Sequence, residues 1–339
     1  MRKSLLSMLL ISSLATPSYA QTETVPPDQQ PDAAVETVVV AGQRPGPGLW
    51  KVSKDDHVLW ILGTHSPLPT QMTWRSQQAE ATLAQSQEVL GQPGAGFGIS
   101  ATPMNILRGL TMLPTLVGVQ NNPDGAKLQD VLDPDVYARW LLLRKKYLGD
   151  DTSLERQRPI FAAQKLFDNA LNKTGLSKRD VVEEAVRALA RKSSIKFTAT
   201  DVREELDDPK AALKEFKKSG LTDQECFAKT LARLETDLDA MRVRANAWAV
   251  GDIDKIEKLT FADNTSECNA ALQNNAAFKS RPELASLPQR ARDNWVAAAE
   301  RSLAANRSTF ALMPLKLLLD PKGYLADLQA KGYVVEKPE

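Results

Sequence analysis

Few of the side chains that most often do acid–base, nucleophilic or metal chemistry occur in this 339-residue chain: two histidines, His57 and His65, and two cysteines, Cys226 and Cys268. His65 lies in Gly63-Thr64-His65-Ser66, at the end of the apolar run VLWILGT. A histidine beside a serine can act as base toward the hydroxyl. With carboxylates such as Asp201 or Asp293 it can also help build a hydrolytic centre. His57 belongs to the polar turn Lys54-Asp55-Asp56-His57 and reads as a solvated residue. About seven residues of strand, roughly 20 Å when extended, separate it from His65, so the two imidazoles do not form one cluster. No G-x-S-x-G elbow, P-loop or dinucleotide-binding glycine pattern occurs. The Gly-rich GQPGAGFG at 91–98 lacks the Gly-Lys-Ser/Thr ending of a phosphate loop and reads as a connecting loop.

The compartment decides what the cysteines do. The chain begins MRKSLLSMLLISSLATPSYA: two basic residues, an apolar stretch from Leu5 to Leu14, and the small-x-small pattern Ser18-Tyr19-Ala20. This is the grammar of a cleavable signal peptide over residues 1–20. The apolar stretch is shorter than the roughly 20 residues that a membrane anchor needs. The protein is therefore expected in the periplasm or secreted, with no membrane span. In an oxidising compartment Cys226 and Cys268 suggest one disulfide. A zinc site is the weaker alternative, because no histidine lies near either cysteine, and two separate buried thiols are the third. Removing Arg2 and Lys3 moves the net charge from +1 to about −1, which leaves no electrostatic footprint for nucleic acid.

These residues need a scaffold. Residues 21–47 are rich in Pro, Gln, Asp and Glu and read as a disordered leader. Its ETVVVAGQR segment resembles a TonB box, a type of segment that can add a strand to a partner's sheet. A domain over 48–339 opens with a β-hairpin, LWKVS and VLWILGT around the polar turn. Helices are expected over 74–90, from Pro134 through VYARWLLLRKKYL, and over 180–191. The last shows Val181, Val182, Ala185, Val186 and Leu189 on one face and a capping box of Ser177 with Asp180. Thr222 with Glu225 caps a helix running to about Val250, Gly251 ends it, and Asp252 caps the next. STFALMPL reads as a buried strand, LKLLLDPKGYLADLQAKG as turn plus helix, and YVVEK as a last strand. The expected class is α+β: a mixed β-sheet built from the N-terminal hairpin and C-terminal strands, with a large helical insert and a single core.

The hairpin GLWKVSKDDHVLWILGTHSPLP, the middle segment ANAWAVGDIDKIEKL and the tail STFALMPLKLLLDPKGYLADLQAKGYVVE together resemble the TraB/GumN family. That family is related to the Tiki proteins and, more distantly, to erythromycin-esterase-like folds. The resemblance spans Leu49 to Glu336. It implies G-T-x-H at the end of the second strand, a Glu in the short strand after the next helix, and a G-x-G-H-like element after the late strand, together holding a divalent metal for hydrolysis. This chain departs at each. Ser66 occupies the histidine position, with His65 one residue early, where strand alternation would point it away unless a bulge re-aims it. Gln92 stands where the Glu belongs, and Glu88 falls at a helix end as a solvated side chain. Pro314-Leu315-Lys316-Leu317 replaces the last element. The resemblance thus implies a degenerate member without metal or cofactor, binding an envelope partner or small ligand. A hydrolase rearranged around His65 and Ser66, or a structural envelope role with the leader as tether, are the other readings. Mass spectrometry of the periplasmic fraction should find the mature chain starting at Gln21; exported protein still carrying Met1–Ala20 would refute cleavage.

Overall fold

The computed structural model describes residues 46–98, 113–259 and 265–338. All of them belong to the second of two units, Gln43–Glu339. The expected signal peptide and most of the expected leader, with its TonB-box-like segment, lie outside the described residues.

Strands β1 (Leu49–Lys54) and β2 (His57–Thr64) form the expected hairpin, Lys54 opposite His57. Asp55 turns the chain with φ 55°, a left-handed conformation that Asp tolerates better than most residues. His57 is the first residue of β2 rather than a purely solvated turn residue, because its Nδ1 donates to the Asn306 carbonyl at 2.8 Å. The late strand, β9 (Ser308–Pro314), runs parallel to β2 in register from Val58–Ser308 to Thr64–Pro314. On its far side β9 takes β4 (Glu88–Leu90), and β4 takes β7 (Lys196–Thr198), both parallel; β10 (Val334–Glu336) adds antiparallel to β1. The sheet order is β10-β1-β2-β9-β4-β7. The class is α+β with a helical insert, as expected. The insert, however, also gives the sheet two strands, β4 and β7.

That contribution corrects the expected helix over 74–90. Helix α1 is only Gln77–Ala84, and the chain then enters the sheet at Glu88. Val89 and Leu90 are fully buried between β9 and β7, and a strand buried on both faces shows no alternation to distinguish it from a helix. GQPGAGFG is not simply a loop either. Its second half, β5 (Ala95–Gly98), pairs parallel with β8 (Val202–Glu205) in a separate two-stranded sheet; another forms from β3 (Leu68–Pro69) and β6 (Leu176–Ser177). A backbone ladder needs no side chains, so glycines can form it when a partner strand is supplied from elsewhere.

The expected helices occur in order with altered ends, and helices at Pro159–Lys173, Pro209–Lys218, Thr265–Gln273 and Leu287–Ala305 are found that the local pattern did not single out. Besides four-residue helices at Leu128–Val131, Ala276–Lys279 and Pro282–Ala285, the helices after α1 are α2 (Pro134–Tyr147), α3 (Pro159–Lys173), α4 (Val181–Lys192), α5 (Pro209–Lys218), α6 (Gln224–Thr236), α7 (Leu238–Ala249), α8 (Ile253–Lys258), α9 (Thr265–Gln273), α10 (Leu287–Ala305), α11 (Leu315–Leu318) and α12 (Tyr324–Ala330) among the described residues. Asp180 rather than Ser177 is the N-cap of α4, accepting from the Glu183 amide at 2.8 Å. At the start of α6 the cap position is Asp223, not Thr222, and its carboxylate reaches away to accept from the Ile160 amide at 2.8 Å. Gly251 does end the Val250 stretch, with φ 75°. A Cβ there would lie 2.3 Å from the Gly46 carbonyl oxygen. Asp252 caps α8 as expected. The predicted single helix to Val250 breaks at Asp237, which is buried and bonded to Arg244 at 2.7 Å. An ion pair inside the fold satisfies the carboxylate there in a way local propensity does not reveal.

Two hydrophobic clusters replace the single core. One packs α1, α4, α7, α8, α10, α11 and α12 around the sheet and includes Trp50, Trp248, Trp295 and Phe310; the other joins α2, α3 and α6 through Trp140, Leu166, Phe227 and Leu231. The break at Asp237 shortens the path that Cys226 must travel back, and α9 packs on α6. Cys226 and Cys268 are joined by a disulfide with Cα atoms 4.7 Å apart, which settles the pairing against zinc or separate thiols. The crosslink spans 42 residues of sequence and in the chain-entropy view is worth about 4 kcal/mol. Replacing both cysteines by serine should lower the urea-unfolding free energy by about that amount, and reductant should do the same to the parent chain only. Equal stability of parent and double variant would exclude the crosslink as a stabilising element.

Candidate functional site

Parallel strands end on one edge, and in open α/β sheets that edge is where ligands gather. Here β2, β9 and β4 bring Thr64, Pro314 and Leu90 to the same side, and a cleft of about 310 Å³ opens beyond them. The strand ends are fixed by two buried indoles. Trp248 of α7 donates to the Gly63 carbonyl at 2.6 Å, and Trp295 of α10 donates to the Gly91 carbonyl at 3.1 Å. Gly63 has no room for a side chain: a Cβ would meet Trp50, Leu315 and Leu318 at 2.9 to 3.1 Å. The turn after β4 is held by Thr200, whose hydroxyl bonds the Gly91 and Gln92 carbonyls at 2.9 and 2.8 Å.

Gln92 is the centre of the polar wall. Its Oε1 accepts from the Thr64 hydroxyl at 3.1 Å, while its Nε2 donates to Asp180 Oδ2 at 2.5 Å and Glu183 Oε2 at 2.7 Å. An amide satisfies these three partners at once. A glutamate there would set a third carboxylate against Asp180 and Glu183, a like-charge cluster. Glu183 is held in turn by Arg187 at 2.6 Å. Asp180 keeps its other oxygen on the α4 amide and sits at the positive end of that helix.

His65, Ser66 and Pro67 follow β2 and line the cleft beside Thr64; the Ser66–Pro67 peptide is cis. The alternation argument against His65 fails for a simple reason: β2 stops at Thr64, so its two-face rule no longer governs residue 65, and no bulge is needed. The Nε2 of His65 is buried without a hydrogen-bond partner. Burial, reinforced by the nearby Arg244 guanidinium, pushes the imidazole down to about 4, so the ring is neutral near pH 7. Arg233 of α6, Arg244 of α7, Lys316 of α11 and Thr265 at the start of α9 complete the described walls together with Met241 and Leu315. Leu317 turns instead to the hydrophobic cluster around the sheet.

The structure separates other predicted residues from this cleft. Asp201 pairs with Arg203 at 2.9 Å, and Asp293 is an exposed α10 residue bonded to Gln289 at 2.8 Å; neither lines it. Glu88 is not a solvated helix-end residue. It begins β4 and accepts from Thr198, from Ser302 at 2.8 Å and from Asn306 at 3.1 Å, with Lys196 at 2.9 Å. Burial alone would raise its carboxyl, but the hydrogen bonds from Thr198, Lys196 and Ser302 outweigh it and hold the group down to about 2. The sequence reading missed Arg233, Arg244, Glu183 and the two tryptophan clamps as parts of the site. Trp248 lies within the ANAWAVGD segment that carries the resemblance and Arg244 immediately precedes it, the one signal that could have drawn attention to them.

A catalytic divalent metal needs about three anionic or imidazole ligands and an open position. At the places the resemblance assigns to ligands stand a hydroxyl, an amide that already donates to two carboxylates, and a segment bearing a lysine. Two guanidinium groups share the cleft, and among the described residues no group of three or more His, Cys, Asp or Glu converges on one point. The donor set does not fit such a metal.

A neutral buried imidazole has a consequence for stability. Between pH 6.5 and 4 the unfolded chain protonates His65 while the folded one does not, so stability present above that window falls as pH drops through it. The loss attributable to His65 should be on the order of 2 kcal/mol between pH 7 and pH 5. The contribution of Glu88 belongs to a lower window, present above its ordinary 4.5 and lost toward 2. Urea titrations of the parent and of His65→Gln at both pH values should show the variant missing this part of the acid slope; parallel slopes would contradict a neutral buried His65.

No curated protein and no solved structure matches the chain. The profile of the TraB/PrgY/gumN family matches residues 48–337, which takes in both halves of the sheet, the helical insert between them and every described residue of the cleft. The chain belongs to the TraB/PrgY/gumN family.

Proposed function

We propose that this protein is an exported, periplasmic family member whose cleft has lost the metal-hydrolase ligand set and serves a binding or accessory role in the cell envelope. The observation that carries the reading is Gln92. Its amide is committed to Thr64, Asp180 and Glu183, a network that gives a neutral donor a structural reason to be there and leaves a metal no carboxylate at that position. Ser66 after β2 and Leu317 in α11 support it, since a hydroxyl and an aliphatic side chain stand where the resemblance puts imidazole ligands. Export is supported by the basic, apolar and small-residue pattern of the first 20 residues and is compatible with the Cys226–Cys268 bond.

One observation favours the second reading, a hydrolase rearranged around His65: a neutral imidazole with an unpartnered Nε2 lines the cleft beside Ser66. Such a residue is suited to proton transfer. Against it, the carboxylates proposed to assist, Asp201 and Asp293, lie elsewhere.

Elemental analysis of mature protein purified without chelators separates the two. We expect less than a tenth of a zinc or manganese ion per chain and no metal-dependent hydrolysis. Ser66→His should restore neither, because a single added ligand leaves the site incomplete. About one metal per chain, lost together with hydrolytic activity in His65→Ala, would overturn the proposal.

A further inference from the structure

A second recess, of about 480 Å³, lies among segments of the helical insert and shares no lining residue with the cleft. Its walls come from parts of the chain distant in sequence: Phe97 of β5, Phe161 of α3, Leu213 and Phe216 of α5, Leu272 of α9, and Phe278 of the short helix Ala276–Lys279. The four phenylalanines meet in two edge-to-face pairs, Phe97 with Phe278 at 5.4 Å and Phe161 with Phe216 at 6.3 Å between ring centres. None of these six side chains belongs to either hydrophobic cluster. Helix α5 shows the consequence most directly. It carries Ala212, Leu213 and Phe216 on one face and the exposed Lys210, Lys214 and Lys218 on the other, yet none of its residues is fully buried. The apolar face of an amphipathic helix ordinarily closes on a core. This one looks into open volume, although voids much larger than a water are few in a protein interior.

The polar groups nearby are committed to the frame. Arg281 is the one charged residue among the described lining residues, and its guanidinium bonds Glu215 at 2.9 Å and the Ala277 carbonyl at 2.5 Å. Arg158, fully buried, donates to the carbonyls of Phe216, Lys217 and Ser219 at 2.8 to 3.1 Å and lies 4.6 Å from the centre of the Phe216 ring. Asn275 ties the short helix to the end of α5 through the Ser219 hydroxyl at 2.7 Å and the Gly220 carbonyl at 3.1 Å. Hydrogen bonds thus fix the position of the walls, and the surface they present inward is almost wholly hydrocarbon.

We infer that this recess binds the hydrocarbon chain of a small neutral amphiphile, taken up as a monomer from solution. The volume is on the scale of small-molecule sites, and apolar cavities accept apolar ligands in preference to water. A polar or charged group entering here would lose its hydration without a replacement partner, whereas an alkyl chain gains by every methylene it hides from water. The polar end of such a ligand stays at the opening. A recess walled by several elements suits a single chain, in contrast to the flat apolar face that rests on a bilayer. The inference is independent of what the cleft at the strand ends does.

Calorimetric titration of the mature protein at pH 7 with hexan-1-ol, octan-1-ol and decan-1-ol tests it. We expect saturable binding of one alcohol per chain, with affinity rising about fourfold for each added methylene and changing little between low and high salt. This series is read on the parent protein and needs no variant to fold. Ala212→Trp, which fills the recess from α5, should weaken decan-1-ol binding about tenfold or more, and Leu272→Asn, which puts an amide into the wall from α9, should weaken it as well. Leu142→Ala removes an exposed leucine from α2 and should leave binding unchanged. Circular dichroism checks that each variant is folded. No saturable binding of any alcohol by the parent, affinity that does not grow with chain length, or undiminished binding in the folded Ala212→Trp and Leu272→Asn variants overturns the inference.

Discussion

The parallel pairing of β2 with β9 is the constraint on which the rest of the molecule depends. It joins segments about 250 residues apart in sequence, from Val58–Ser308 to Thr64–Pro314, and a parallel pair cannot be closed by a tight turn. The chain between them must leave β2 and come back to its side in parallel, giving β4 and β7 to the far side of β9 on the way. The helical insert is that return path, and it is long enough to carry a hydrophobic cluster of its own. Long-range pairing of this kind must overcome a large loop-closure entropy before its contacts form. The buried apolar strands Val58–Thr64 and Ser308–Pro314 supply the compensating burial.

Because the strands are parallel, their carboxyl ends collect on one edge, and the same pairing therefore decides where a site can be. Trp248 and Trp295 then tie two helices of the insert to that edge, each through an indole N–H to the carbonyl of a glycine. Both glycines are positions where a side chain would collide or crowd: Gly63 against Trp50 and Leu315, Gly91 against Phe197. Close backbone approach and buried indoles together give the loops after β2 and β4 a fixed spacing, across which Thr64 reaches Gln92.

The chemistry of the cleft follows from which groups this spacing brings together. The hydroxyl of Thr64, the amide of Gln92 and the carboxylates of Asp180 and Glu183 form a connected set in which each group has its complement. On the opposite side Arg244 is buried against Asp237 at the break between α6 and α7. That ion pair couples the geometry of the helical insert to the potential felt by His65, since the same guanidinium helps hold the imidazole neutral. The site thus sets a connected group of hydroxyl, amide and carboxylates beside a buried ion pair and a neutral imidazole.

Local patterns determined a good deal by themselves: the opening hairpin, the amphipathic helix over 181–192, the glycine that ends the Val250 stretch and the late strand at 308–314. Each rests on periodicity, turn chemistry or a short-range steric need that a few neighbouring residues express. Tertiary structure alone decided the rest. Glu88–Leu90 is a strand because β9 and β7 lie on either side of it. Ala95–Gly98 is one because Val202–Glu205 arrives beside it. The helix breaks at Asp237 because Arg244 waits there, and His65 enters the cleft because β2 ends one residue earlier. None of these can be expressed in a window of sequence, since the deciding group in each case comes from a segment brought near only by folding.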